Sequence, residues 1–145
     1  MKVQSLALNI GNYGCLAFCY ANVVESLNDG WNPDKMACQM KLLADVIDAM
    51  NAGKLGEDCF VKSAADYMSY LDNARHTFKV TKEELDGTVN SLAGKIAAVR
   101  FDNNGHSHWC LYAGDRIVFD SLDSSQCRKF GKPMSARVIT IEENK

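Results

Sequence analysis

Three residues of this sequence could together break an amide or ester bond: Cys15, His108 and Asp120. Cys15 follows Tyr13-Gly14 and directly precedes a helical pattern. A cysteine at a helix N-terminus has its thiolate stabilised by the positive end of the macrodipole and by unpaired backbone N–H groups. The thiolate is the nucleophilic form, and a neighbouring imidazole completes an ion pair that later protonates the leaving group. His108 begins a strand-like run, and Asp120 lies on the next one. A carboxylate there would accept a hydrogen bond from the second ring nitrogen and fix the tautomer of the base. The backbone N–H of Cys15 would be one oxyanion donor, and an upstream side-chain amide the other. His106 is the rival base, on the same face as His108 if the strand starts early. His108 is preferred because Trp109 to Tyr112 continue from it as a strand and because its partner is a carboxylate. A different chemistry is also open. His106, His108 and Cys110 alternate, so they share a strand face, and Cys15, Cys127 or Asp120 could complete four zinc ligands. The spacing is not that of a standard zinc knuckle.

The elements that must position these groups change character along the chain. Leu16, Cys19, Tyr20, Val23 and Leu27 recur at helical spacing, and Asn28-Asp29-Gly30 ends that helix. Asn32-Pro33 reads as a cap and first residue of a second helix, whose apolar face runs from Met36 to Met50 and which Gly53 closes. A third helix includes Ala64, Ala65, Met68 and Leu71. Strand patterns follow: His76 to Thr81, Ile96 to Phe101, His108 to Ala113, Arg116 to Ser121 and Arg137 to Ile141. Thr81 with Glu84 is a candidate capping box for a short helix. Helices first and antiparallel strands after indicate an α+β domain. The His108–Ala113 and Arg116–Ser121 runs form a hairpin around Gly114-Asp115. A three-residue loop there would pair His108 with Asp120, Trp109 with Phe119 and Leu111 with Ile117, which separates a polar from an apolar face. The expectation is His108 and Asp120 side by side, with Cys110 next to them.

The segments Asn12-Tyr13-Gly14-Cys15-Leu16-Ala17-Phe18-Cys19, Gly105-His106-Ser107-His108-Trp109-Cys110-Leu111-Tyr112 and Ile117-Val118-Phe119-Asp120-Ser121 resemble the papain-like cysteine peptidase superfamily. The second and third are similar to the His-Trp and Asp-bearing strands of bacterial double-glycine leader peptidases. A weaker likeness is to small papain-like proteins of spirochaetes and their phages. The resemblance implies N-terminal helices packed against a C-terminal antiparallel sheet, with the catalytic triad in the cleft between. It implies a thiol protease or related hydrolase, acting through an acyl-enzyme on a peptide or protein and needing no cofactor. Members commonly carry a glutamine six residues before the nucleophile as an oxyanion donor. Here that position is Asn9, the same amide on a shorter side chain, with Asn12 or Gln4 as alternatives. The chain is also short for such a peptidase, which implies a shallow cleft or a partner that completes it. A peptidoglycan amidase or endopeptidase of the same fold, or an inactive binding module built on it, are the other readings.

Bulk properties bound these readings. The 145 residues suit one domain, 1–145, with one core. A net charge of -2 with scattered basic residues gives no electrostatic footprint for nucleic acid or anionic membrane. No run approaches the ~20 apolar residues that span a bilayer. Asn9, Gly11 and Asn12 interrupt the apolar N-terminus, so it makes a poor signal peptide, and the expected location is cytoplasmic. The six cysteines are then expected as free thiols, with Cys19, Cys38 and Cys59 acting as small hydrophobes.

Overall fold

Among the described residues, three longer helices build the helical half. The computed structural model describes residues 10, 14–122 and 126–144. Helix α1 spans Cys15–Glu25, α2 Met36–Asn51 and α3 Ala64–Leu71. Along α1 nearly every residue after Phe18 is buried, because the helix lies between α2, α3 and the sheet. Such all-round burial is the mark of a central helix rather than an amphipathic surface one. The α2 helix buries only Leu42, Asp45, Val46 and Ala49, so it covers α1 from outside. Its start departs from the sequence reading. Asn32 does cap a turn, accepting from Asp34 N–H through its side chain at 2.9 Å, but the helix begins only at Met36. Ser63 caps α3 by accepting from Asp66 N–H, and the Tyr67 hydroxyl donates to the Ala17 carbonyl at 2.8 Å, tying α3 to α1.

The strands are β1 His76–Glu84, β2 Ile96–Asn103, β3 His106–Ala113, β4 Arg116–Phe119 and β5 Lys132–Glu143. They form one antiparallel five-stranded sheet in the order β1-β5-β2-β3-β4. The domain is therefore α+β, with helices N-terminal and the sheet C-terminal. The expected helix after Thr81 is not formed. Residues 81–84 continue β1 and pair with residues 135–138 of β5, because a long partner strand offers each of them a ladder. A short helix α4, Gln126–Phe130, precedes β5 and packs on β2 and β3. Five residues are too few to show a helical period, which is why the sequence does not announce it.

Ala97, Ala98 and Val99 of β2 are consecutive and fully buried, so the sheet is covered on both faces at its centre. One face meets the three N-terminal helices through Tyr20, Val24, Leu111 and Ile139. The other is a smaller core of Leu92, Val99, Phe101, Cys110 and Tyr112 under α4. This explains why β2 reads as an unbroken apolar run instead of alternating.

Two hairpins bring the C-terminal functional residues together. Asn103 pairs with His106 across Asn104-Gly105, both at positive φ. That is the two-residue turn whose twist matches the flanking strands, and it starts β3 at His106. The next hairpin corrects the sequence reading. Ala113 pairs with Arg116 and Tyr112 with Ile117 across the two-residue loop Gly114-Asp115. The register then shifts, so that Leu111 faces Phe119. A bulge at Val118, not a three-residue loop, separates the two faces. The bulge inserts one residue and bends β4, as bulges do. The pairing of β4 with β3 ends at Phe119, and Asp120 follows at the level of Cys110.

Candidate active site

The early end of β4 leaves β3 with an open edge at Trp109, and α1 docks there. The Cys19 thiol donates to the Trp109 carbonyl at 3.7 Å, and the Trp109 N–H bonds to the sulfur of Cys15. Cys15 is the first residue of α1 and is half-buried. Gly14 caps the helix without a side chain, and no larger residue fits. A Cβ there would lie 2.5 Å from the Ile10 carbonyl oxygen, which accepts the Gly14 N–H at 2.9 Å. The nucleophile therefore sits where the first N–H groups of α1 converge.

His108 is buried, at 3% exposure, and its Nε2 lies 2.7 Å from Asp120 Oδ1. The remaining ring nitrogen, Nδ1, is the one left for the hydrogen bond between His108 and Cys15. Asp120 Oδ1 also accepts from Leu122 N–H at 2.9 Å, and Oδ2 from Arg128 Nε at 2.6 Å. His108 thus couples to both Cys15 and Asp120, across sequence separations that only the fold can close. His106 is exposed at the start of β3, two residues short of this contact. His76 lies elsewhere, at the start of β1, bonded to Asp72. Asn9, with Gln4 and Asn12, falls outside the described residues.

The electrostatics follow from burial and pairing. Burial alone would raise the Cys15 pKa. The His108 hydrogen bond, the Trp109 N–H and the imidazolium charge outweigh it and hold the thiol below its ordinary value. Burial likewise pushes His108 down, but Cys15 and Asp120 bring it above its ordinary value. Asp120 loses more than burial adds, because His108, Leu122 N–H and Arg128 all favour the carboxylate. The same environment has the opposite effect on the other thiols. Burial drives Cys110 up, helped by the Asp120 carboxylate, and drives Cys19 further still. The thiolate is thus favoured at Cys15 and disfavoured at Cys19 and Cys110.

The zinc alternative meets a specific obstacle. His108, Cys110 and Asp120 do present ligand atoms within 4.8 Å of one another. His106, which that reading also needs, is exposed at the start of β3 and is not part of this group. Asp120 already accepts three hydrogen bonds, one of them from a guanidinium that a cation would have to displace. The donor set suits a hydrogen-bonded triad better than a metal.

Arg128 is the residue of this site that the sequence reading misses, since neither a motif nor a period marks α4. An open groove of about 670 Å³ flanks the acid end of the triad, between α2 and β4, with Met36, Met40, Phe119 and Arg128 among its walls. Cys15 and His108 do not line it. Among the described residues no helix is long and apolar enough to cross a membrane. Compared with family models, curated proteins and solved structures, the chain matches none of them.

Proposed function

We propose that the protein is a papain-like thiol hydrolase that cleaves an amide bond of a peptide or protein. The observation that carries this reading is the convergence of three groups. A cysteine at the first position of α1 meets a histidine whose other nitrogen is held by a buried carboxylate. Each group also has its ionisation shifted in the direction the chemistry needs.

The reaction runs as follows under this proposal. Cys15 Sγ, as thiolate, attacks the carbonyl carbon, and the C=O electron pair moves to oxygen. The Cys15 backbone N–H stabilises that oxyanion, with a side-chain amide near residue 9 as second donor. His108, protonated on Nδ1, gives that proton to the leaving nitrogen as the C–N bond breaks. The thioester is then attacked by water, whose proton His108 accepts, and Cys15 leaves as thiolate. Asp120 stays ionised throughout and keeps Nε2–H directed away from the sulfur. No cofactor enters these steps.

The test is iodoacetamide alkylation of each cysteine in native protein as a function of pH, read by mass spectrometry. The proposal expects fast modification of Cys15 with a pKa below that of a free thiol, about 8.5, and a rise in that pKa in His108→Ala. Cys19 and Cys110 should stay slow. Equal slowness at Cys15 would sink the proposal.

A further inference from the structure

We infer that Arg128 is a positioning residue of this site: it clamps Asp120 so that one carboxylate oxygen remains turned to His108. The inference rests on the hydrolase reading for its meaning but not for its test. Asp120 is the most contested acceptor in the cluster. His108 Nε2 and Leu122 N–H both bond to Oδ1, and the Cys110 thiol lies within 4.8 Å of the same carboxylate. Its side chain is only 6% exposed, so little of it is open to water. A carboxylate in that position gains by protonating or by turning toward another donor. Arg128 Nε at 2.6 Å from Oδ2 opposes both, because it supplies the missing charge and fixes the plane of the carboxylate.

The placement of Arg128 is built into the fold. It comes from α4, a separate element from those carrying the triad. Cys127 beside it is buried in the smaller core. Gly131 after it packs so tightly that a Cβ would lie 2.3 Å from the Cys127 carbonyl oxygen and 2.5 Å from that of Asp102 in β2. The α4 turn is therefore pinned to the sheet, and with it the guanidinium. Among the described residues, the titratable and charged groups around this site are Cys15 and Cys19 from α1, Cys110 on the strand of His108, Asp120 after β4 and Arg128 from α4.

Clamping and simple charge make opposite predictions. Removing a cation near an imidazole by itself raises the imidazole pKa. Losing the orientation of Asp120 lowers it, as Asp120→Asn would. The experiment is a 15N NMR titration of the His108 ring in the full chain, for wild type, Arg128→Met, Arg128→Lys and Asp120→Asn. Iodoacetamide alkylation of Cys15 is measured in parallel. The expected result is that His108 titrates lower in Arg128→Met than in wild type, moving in the same direction as Asp120→Asn. Cys15 alkylation at neutral pH should slow by roughly 10- to 100-fold, the scale of a misplaced catalytic group. Arg128→Lys should recover part of both. An unchanged or higher His108 pKa in a folded Arg128→Met overturns the inference. Should that variant not fold, Arg128→Gln, uncharged and shorter, is read by the same sign. A wild-type Cys15 that alkylates like a free thiol would end the hydrolase reading alone, since the His108 titration still judges the clamp.

Discussion

Two histidine–aspartate pairs stand among the described residues, and they do different work. His76 Nδ1 lies 3.0 Å from Asp72 Oδ2, which also accepts the His76 N–H at 2.7 Å. Asp72 is fully buried at the end of α3 and joined by Arg75, so this acid fastens α3 to the edge strand β1. His108 with Asp120 has the same partners, a buried acid and an arginine. The first pair is local, four residues apart, and follows from one tight turn. The second is assembled from β3, the end of β4 and α4. Its histidine keeps a ring nitrogen for Cys15, whereas no thiol bonds to His76 among the described contacts. The difference teaches that a histidine–carboxylate pair is a fastening by default. A third group, placed by a separate element, turns it into a candidate catalytic unit.

The comparison breaks most sharply at the histidines. His108→Ala should slow Cys15 alkylation near neutral pH by about 100-fold or more, on the scale of a lost acid–base partner. His76→Ala should leave that rate at the wild-type level, and equal losses would erase the distinction. Cys15→Ala should abolish hydrolysis while the urea midpoint changes little, because the thiol is small and half-buried. Unfolding in that variant would make Cys15 structural.

The acids should separate by stability rather than rate. Asp72→Ala leaves the His76 N–H without its acceptor and should cost about 1–3 kcal/mol in urea denaturation, with Cys15 reactivity unchanged. Asp120→Asn should instead cost reactivity. Its effect on acid unfolding has a definite sign. The folded pKa of Asp120 is depressed, so its contribution is present above the ordinary carboxylate value, about 3.9, and is lost as pH falls through the lower folded value. Asp120→Asn should therefore show a shallower loss of stability below pH ~4 than wild type. For His108 the folded pKa is raised. Its contribution is complete below the unfolded value, about 6.5, and disappears as pH rises through the folded one.

The smallest effect concerns a third buried acid, which has no histidine at all. Burial and the neighbouring Glu25 raise Asp45 to about 6, against the pull of Lys41, and its Oδ2 has no hydrogen-bond partner. The folded chain then binds the extra proton between about 4 and about 6, so stability falls as pH rises through that window. Asp45→Asn should flatten this slope and gain about 1 kcal/mol at neutral pH, measured by thermal melts at pH 4 and pH 7. A loss at both values would show that the carboxylate is better paired than its geometry implies.

Much of the site was legible because its parts obey local rules. Gly14-Cys15 before an apolar period places a cysteine at a helix start, and α1 begins there. The residue types of His108, Trp109 and Asp120 on neighbouring runs lead to a shared face, and His108 and Asp120 do meet. The turn residues Asn104-Gly105 were available to the same reasoning and would have started β3 at His106. The hairpin register was not legible. Alternation favoured a three-residue loop, but the molecule keeps the two-residue turn and corrects the faces with a bulge at Val118. Loop length and bulge change the same parity, so polarity along the strands cannot tell them apart.

The sequence by itself determined that helices come first and antiparallel strands after, marked Cys15, His108 and Asp120 as candidates, and set the absence of a strong net field. Those depend on period, capping and residue type, which are properties of short segments. Only the tertiary structure decided that β4 stops short, that α1 fills the edge it leaves at Trp109, and that Arg128 reaches Asp120. Such contacts join residues that no local pattern relates. They exist because burying two faces of one sheet leaves each element few places to lie.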